Sequence, residues 1–382
     1  MENKGILNGK TVVMVIGGSI SCYRTPDIIR DMVKEGAEVN VILSQSASKM
    51  IGEQTLEWAS QSKVITELTG EMEHISLLAR GKEKTSVLVC PATFNMIGAM
   101  ANGIASSAGE TLFANALGMG IDITIVPAMH LEMYENPILE RNLDKLKNLG
   151  VKIVTPRIED GKAKIMWSEE IIDSIARKGS NKKSILIISG HSTIPLDPAR
   201  RIMNRSSGKT GIAISREAYR KGYDSIVYIG NSKYRIPSYV ELRECEETDD
   251  FYKLALEATV KNKYDVITIP AALSDFTTNF SSEKLSSTNE ITIRLKPREK
   301  LIEKICKILE EKQSDTKIVK FKLNKENNNP EDSNFITVIN YLEDSPFDEG
   351  NNRYTIVDSG KVIFSGKINK SELSKKIIEA VE

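Results

Sequence analysis

The sequence predicts an α/β chain of two successive domains, each built on a largely parallel sheet covered by helices. Three observations lead there. Short runs rich in valine and isoleucine alternate with amphipathic segments through both halves of the chain. At 382 residues there is enough chain for two cores of ordinary size. A polar, charged stretch without apolar periodicity, "RKGSNKK" at 177–183, separates the two series and is expected to be the linker, which puts the domains at 1–176 and 184–382.

In the first half the expected strands are "TVVMVI" (11–16), "EVNVIL" (38–43), "SVLVC" (86–90) and "ITIVP" (123–127). Their nearly continuous apolar character suits strands buried on both faces. Between them, "TPDIIRDMVKEG" (25–36) predicts a helix with Thr25 as its cap, Pro26 in the first turn and Gly36 as its stop. "NPILERNLDKLKNLG" (136–150) repeats that order with Asn136, Pro137 and Gly150. In the second half "SILIIS" (184–189), "SIVYIG" (225–230), "DVITIP" (265–270) and "KIVKFKL" (317–323) read as strands, with helices near 209–221, 249–261 and 299–312. Residues 351–366 read as a hairpin turning at Asp358 to Gly360, and "KSELSKKIIEAVE" closes the chain as a helix. The asparagine-rich stretch 323–334 predicts a loop.

Composition removes several classes of function. Basic and acidic side chains balance at 52 each, so no global field draws nucleic acid. Cys22, Cys90, Cys245 and Cys306 lack the close pairing of zinc sites or redox dithiols, and are expected to be free thiols. The apolar run at 11–16 stops at Gly17–Gly18, too short for a signal segment. No stretch approaches the roughly 20 apolar residues of a membrane span. The expectation is a soluble cytoplasmic protein without a membrane or nucleic-acid partner.

"NRSSGKTG" (204–211) ends like a phosphate loop, but the glycine that should stand five positions before its Gly-Lys pair is Met203. An ordinary P-loop NTPase is therefore disfavoured. The stretch can still hold phosphate through N–H groups at a helix start and one lysine, Lys209. In open parallel sheets ligands gather beyond the carboxyl ends of strands, so the strand exits are the candidate sites. They are "GGSISCYR" (17–24), Ser44 and Ser46, "CPATFNMIGAMANGIASSAGETL" (90–112) and "PAMHLEMYENP" (127–137). The third is unusually rich in amides, hydroxyls and glycines for a connector.

The order of GGSI, a histidine in "EMEHISL", "PATFNMIGAMANGIA" and "PAMHLEMYENP" resembles the flavin-dependent decarboxylases of the phosphopantothenoylcysteine type. "SGHSTIPLDPARRIMNRSSGKTG" (189–211), "AALSDFTTNFSSEKLSS" (271–287) and "RLKPREKLIEKI" (294–305) are similar to phosphopantothenate-cysteine ligase, which many microbes fuse behind the decarboxylase. The resemblance spans nearly the whole chain and fades after about residue 323. It implies two Rossmann-like domains, a flavodoxin-like flavoprotein domain followed by a ligase domain, in an enzyme of coenzyme A synthesis. CTP would activate the carboxylate of 4'-phosphopantothenate as an acyl-cytidylate, and the cysteine amine would attack it. FMN-dependent decarboxylation would then give 4'-phosphopantetheine. "PAMH" and "GKAK" resemble archaeal members.

Site residues follow from the same resemblance. His74 would transfer protons, for which an imidazole is suited near neutral pH. Gly18, Ser19, Ser44, Thr93, Asn95 and Ser107 would contact FMN. His130, Met133, Lys162 and Lys164 would hold the decarboxylase substrate. Asn204 would attend the acyl intermediate, where an amide can donate to a carbonyl gaining charge. Lys284 would be the catalytic lysine, and Lys209, Asp275 and Phe321 would bind the ligase substrates, with Asp275 also serving Mg2+. A homo-oligomer built from trimers is implied as well. Three positions depart from the usual bacterial pattern: His130 stands for an asparagine, His191 for a glycine, and "RIEDGKAKIMW" (157–167) replaces a cysteine-bearing clamp. Those departures raise a second reading, in which the ligase is active and residues 1–176 form a flavin-binding oligomerisation scaffold without turnover.

Overall fold

The computed structural model describes residues 5–286, 288, 290–324, 335–341 and 350–382. It divides into two compact units, Met1–Arg177 and Lys178–Glu382. In the first, β1 (Thr11–Ile16), β2 (Glu38–Leu43), β3 (Val64–Ile65), β4 (Thr85–Ala92), β5 (Asp122–Pro127) and β6 (Lys152–Ile153) form one parallel sheet in the order β3-β2-β1-β4-β5-β6. Every residue of β1 and β4 is buried, as their unbroken apolar character requires. Val12, Met14 and Ile16 face one core with Ile28, Ile29 and Met32 of α1 (Thr25–Lys34), while Val13 and Val15 face the other. That second core takes Ile97 from α2 (Phe94–Ala101), Leu112 and Phe113 from α3 (Ala108–Gly118), and Leu139 and Leu143 from α4 (Pro137–Asn148).

The second unit repeats the plan. Its parallel strands are β7 (Ser184–Ser189), β8 (Ser225–Gly230), β9 (Glu241–Glu244), β10 (Val266–Ile269), β11 (Lys317–Asn324) and β12 (Ile336–Tyr341). Antiparallel β13 (Asn352–Asp358) and β14 (Lys361–Ile368) extend it, in the order β9-β8-β7-β10-β11-β12-β13-β14. Helices α5 (Lys209–Arg220) and α8 (Lys370–Val381) cover one face, α6 (Thr248–Lys261) and α7 (Leu301–Glu311) the other. In both sheets the chain places its first strand beside its fourth, so strand order reverses there and opens a crevice at the carboxyl edge. Ser359 and Gly360, with φ of 48° and 77°, make the two-residue turn joining β13 to β14, the left-handed pair that matches strand twist.

Several local expectations need correction. Thr25 does not cap α1: a 3-10 turn, Ile20–Arg24, runs directly into the helix, and the Thr25 hydroxyl donates back to the Cys22 carbonyl at 2.7 Å. Within the 177–183 stretch, Lys178 N donates to Arg220 O at 2.8 Å and Asn181 N to Gly222 O at 3.0 Å. Leu323 and Asn324 belong to β11, and the rest of the asparagine-rich loop, 325–334, lies outside the described residues. β12 and the hairpin of Thr193–Asp197 with Arg200–Met203 were not expected. Among the described residues no helix is long and apolar enough to cross a membrane.

Candidate functional site

A cavity of about 690 Å3 lies at the carboxyl edge of the first sheet, where β1, β2, β3 and β4 end. The glycine pair after β1 is there for close approach: a Cβ on Gly17 would meet the Pro91 carbonyl, and one on Gly18 would meet the Ser46 side chain. Three hydroxyls on the lining cap helix starts. Ser44 Oγ accepts from Ala47 N at 3.2 Å, Thr93 Oγ1 from Met96 N at 3.4 Å, and Ser107 Oγ from Glu110 N at 3.4 Å. The starts of α2 and α3 thus bring unpaired N–H groups to one place, which favours an anion. Val15, Ile42, Leu43, Phe94 and Met96 supply an apolar wall beside that polar end. Polar end and apolar wall together fit a phosphorylated planar ring such as a flavin.

Of the residues expected here, Gly18, Ser44, Thr93, Asn95, Ser107 and Met133 line the cavity. Ser19 does not; its N–H and carbonyl are spent on Gly17 and Cys22 in the turn after β1. His74 also stands outside the lining, on a short helix, Glu73–Ser76, that packs against α3. Its Nδ1 is buried without a hydrogen-bond partner. The neighbouring Glu73 takes the Thr69 hydroxyl at 2.5 Å, and that bond holds its carboxyl below the usual range.

His130 and Lys162 are register partners in a small antiparallel sheet formed by Met129–His130, Lys162–Lys164 and Arg157–Glu159, and both are exposed. Lys164 is engaged elsewhere: its ammonium lies 2.7 Å from Asp160 and 3.2 Å from Glu159, and the Asp160 bond raises its pKa. Glu110 was missed. Its buried carboxylate accepts from Ser106 N at 3.0 Å and Ser106 Oγ at 2.5 Å, beside the cavity. The Ser107-x-x-Glu110 spacing, a helix-start signature, is the signal that marks it.

A second cavity, about 180 Å3, occupies the equivalent edge of the second sheet. It lies among Ser189, the 205–210 turn, Pro270–Ala272, Phe321–Leu323, Asn340 and Lys370. Gly208 has φ +74°, and a Cβ there would stand 2.7 Å from Asn231 O, so this turn requires glycine. A Cβ on Gly211 would collide with Ser189, so glycine also lets α5 close on β7. Ser206 Oγ accepts from Gly208 N at 3.3 Å and Ser207 Oγ from Lys209 N at 3.5 Å. With Arg205, Lys209, Lys322 and Lys370 around them, these groups make an anion site without a Walker glycine.

Lys209 and Phe321 line this cavity; Asn204, Asp275 and Lys284 do not. Asn204 Nδ2 donates to Leu273 O at 3.0 Å, tying it to the loop that carries the exposed Asp275. Lys284 is exposed on a segment bound to the 193–203 hairpin. His191 meets Glu246 Oε1 at 3.0 Å, and Arg201 meets Oε2 at 2.6 Å. The His191 bond is foremost among the contacts that hold the Glu246 carboxyl below its usual range. Among the described residues no three His, Cys, Asp or Glu side chains are grouped to hold a metal.

Two sheets whose first five strands run in the same order, each with an anion-favouring crevice at its reversal point, define the class. Residues 1–180 match the Flavoprotein family, and residues 180–382 match the DNA/pantothenate metabolism flavoprotein C-terminal domain. The chain is a two-domain flavoprotein of pantothenate metabolism. It is 38% identical over 306 residues to the coenzyme A biosynthesis bifunctional protein CoaBC of Thermococcus kodakarensis, covering 78% of this chain and 75% of that one. The namesake proteins of Methanocaldococcus jannaschii and Borreliella burgdorferi are 32% and 31% identical, over 80% of this chain and 75% and 79% of theirs. The chain belongs to the CoaBC family of bifunctional coenzyme A biosynthesis proteins. Decarboxylase and ligase domains follow one another in it as the motifs implied, and the scaffold reading of the first unit is not favoured.

Proposed function

We propose that this chain converts 4'-phosphopantothenate and cysteine into 4'-phosphopantetheine, by CTP-dependent ligation in the second unit and FMN-dependent decarboxylation in the first. The observation that carries the reading is the first cavity: five of the six residues assigned to FMN line one crevice at the reversal point of the sheet. In that crevice FMN supplies a two-electron oxidation of the thiol-bearing carbon and the matching reduction after CO2 has left. The chain does the rest. Gly18 lets the backbone come close, Thr93 and Ser107 hold helix starts toward the phosphate, and Asn95 offers an amide. His74 is the proton-transfer residue of this reading, as an imidazole near neutral pH suits that role. His130 and Lys162, side by side and exposed, meet the negatively charged substrate.

In the ligase unit a carboxylate oxygen of 4'-phosphopantothenate attacks the α-phosphorus of CTP and pyrophosphate leaves. The cysteine amine then attacks the acyl carbon, loses a proton and releases CMP. Asn204 donates to the carbonyl oxygen as it gains charge, Lys284 neutralises phosphate charge, and Lys209 with Phe321 forms part of the pocket for the phosphorylated substrates. Asp275 would offer one carboxylate to a Mg2+ ion, which would help neutralise the charge of the nucleotide phosphates. The reading includes a cytoplasmic homo-oligomer built from trimers; Ile20 and Tyr23, 73% and 68% exposed just beyond Gly18, support association. The test is to supply phosphopantothenoylcysteine to the purified protein. Flavin absorption bands and CO2 release are expected, and a colourless protein that releases none would refute the decarboxylase assignment.

A further inference from the structure

The hairpin Thr193–Met203 has a buried polar knot at its tip. Asp197 is 3% exposed, yet its carboxylate is filled by four hydrogen bonds. Oδ1 accepts from Ala199 N at 2.7 Å and Arg200 N at 2.8 Å, which closes the turn. Oδ2 accepts from Arg200 Nη1 at 3.0 Å and from Leu285 N at 3.0 Å. Arg200 Nη1 also donates to Leu285 O at 2.8 Å, so one carboxylate and one guanidinium grip both sides of Leu285. The N–H so held belongs to the peptide bond that follows Lys284. Four residues upstream, Ser281 N donates to Leu196 O at 2.9 Å, and Ser281 Oγ closes on Glu283 O at 2.7 Å.

A buried carboxylate is unfavourable unless its oxygens are satisfied, and burial here does push against ionisation. The three backbone N–H groups and Arg200 outweigh that and hold the carboxyl below its ordinary range. Three of these four bonds lie within the hairpin; the fourth, from Leu285 N, and the separate Arg200 bond to Leu285 O reach across 88 and 85 residues to a single position beside Lys284. The far end of the same hairpin leads into Asn204, whose N–H is fixed on Ser192 O at 3.1 Å and whose side chain is fixed on Leu273 O. One rigid hairpin thus carries Asn204 at its base and anchors the Lys284 segment at its tip. Without that anchor an exposed lysine on a loop would sample many positions, and the rate of group transfer is sensitive to displacements of about 1 Å.

We propose that Asp197 and Arg200 are positioning residues of the ligase, setting Lys284 against Asn204 through the hairpin. The proposal rests on the reading of Lys284 as the ligase lysine. In the full chain, Asp197→Asn keeps one side-chain oxygen for the turn but turns an NH2 group toward the Leu285 N–H and the Arg200 guanidinium, donor against donor. Ligation kcat is expected to fall roughly ten- to a hundred-fold while the KM for CTP changes less than about threefold. Tryptic cleavage after Lys284 in the folded protein should accelerate, and CO2 release from phosphopantothenoylcysteine should stay at the parental rate. Arg200→Gln, which leaves the turn bonds intact and removes the grip on the Leu285 carbonyl, should show the same kcat loss and the same faster cleavage even if Asp197→Asn folds poorly. Lys284→Ala separates the two readings: if it ligates normally, the assignment of Lys284 falls. If Lys284→Ala abolishes ligation while Asp197→Asn or Arg200→Gln, folded, ligates and resists trypsin like the parent, the positioning proposal is overturned.

Discussion

Replacing Gly109 by alanine should separate flavin binding from stability in a way the geometry makes quantitative. Gly109 is the second residue of α3, and a Cβ built there stands 2.5 Å from Val15 Cγ1, with the next Val15 atoms at 3.7 and 3.8 Å. Ordinary van der Waals contact begins at 3.4 Å, so helix and strand must part by about 1 Å at this point. Val15 is 1% exposed, β-branched and in the middle of the sheet, so it has little room to yield. Overpacking of this kind costs about 1–3 kcal/mol, while the better helix propensity of alanine returns about 1 kcal/mol. The net loss of stability is therefore about 0–2 kcal/mol. The start of α3 moves with the clash and takes the Ser107 cap and Glu110 with it, away from the exit of β1. Weakening one or two phosphate hydrogen bonds by about 1–3 kcal/mol corresponds to a roughly ten- to hundred-fold weaker Kd for FMN. Titrating the flavin-free protein with FMN and following quenching of flavin fluorescence gives that Kd, and thermal melting gives stability. Gly118→Ala is the control, because its Cβ at the end of the same helix meets nothing within 4 Å. Gly109→Ala that binds FMN as tightly as Gly118→Ala would refute the placement of the flavin phosphate at this helix start.

Thr93→Ala removes the cap of α2 and should lower stability by about 0.5–2 kcal/mol while weakening FMN binding further than the cap loss alone explains; unchanged FMN affinity would contradict its place in the site. Gly208→Ala puts a side chain at φ +74° against Asn231 O and should suppress ligation, measured as pyrophosphate release, while CO2 release from phosphopantothenoylcysteine is retained. Burial pushes the Cys245 thiol, and the Tyr223 and Tyr228 hydroxyls, up to about 12. Folded-state values raised in this way favour the native state fully below the unfolded pKa values, about 8.5 for Cys and about 10 for Tyr, and the advantage is lost as pH climbs toward 12. Melting temperatures should therefore hold near pH 8 and fall above about pH 9, and a rise over that interval would contradict the burial. The same burial predicts that Cys90 and Cys245 react with a thiol reagent at neutral pH only after unfolding.

The central strands were legible because β1 and β7 are apolar along nearly their whole length, a pattern that only a doubly covered position explains. Their exits were legible too, since the rule for open parallel sheets needs only strand ends, whereas α2 and the start of α3 were hidden in a stretch read as a connector. Two-residue β3 and β6 were beyond reach, because Val64–Ile65 and Lys152–Ile153 are too short to show a period. Thr25 misled because a capping residue and the first residue of a helix continued from a 3-10 turn look alike in sequence. The pairing of Lys164 with Asp160 and Glu159 was not legible, because it depends on the turn at Asp160, φ 51°, which folds the strand back. The Asp197 knot joins residues 88 apart, and nothing local in either segment signals such a contact.

The most direct test of the account is a single reaction mixture containing the whole chain, FMN, 4'-phosphopantothenate, cysteine, CTP and Mg2+, in which pyrophosphate and 4'-phosphopantetheine are measured together. Equal amounts of the two are predicted at completion, with phosphopantothenoylcysteine accumulating instead when His74 is replaced by alanine. Pyrophosphate without 4'-phosphopantetheine from the unaltered chain, or neither product, would contradict it.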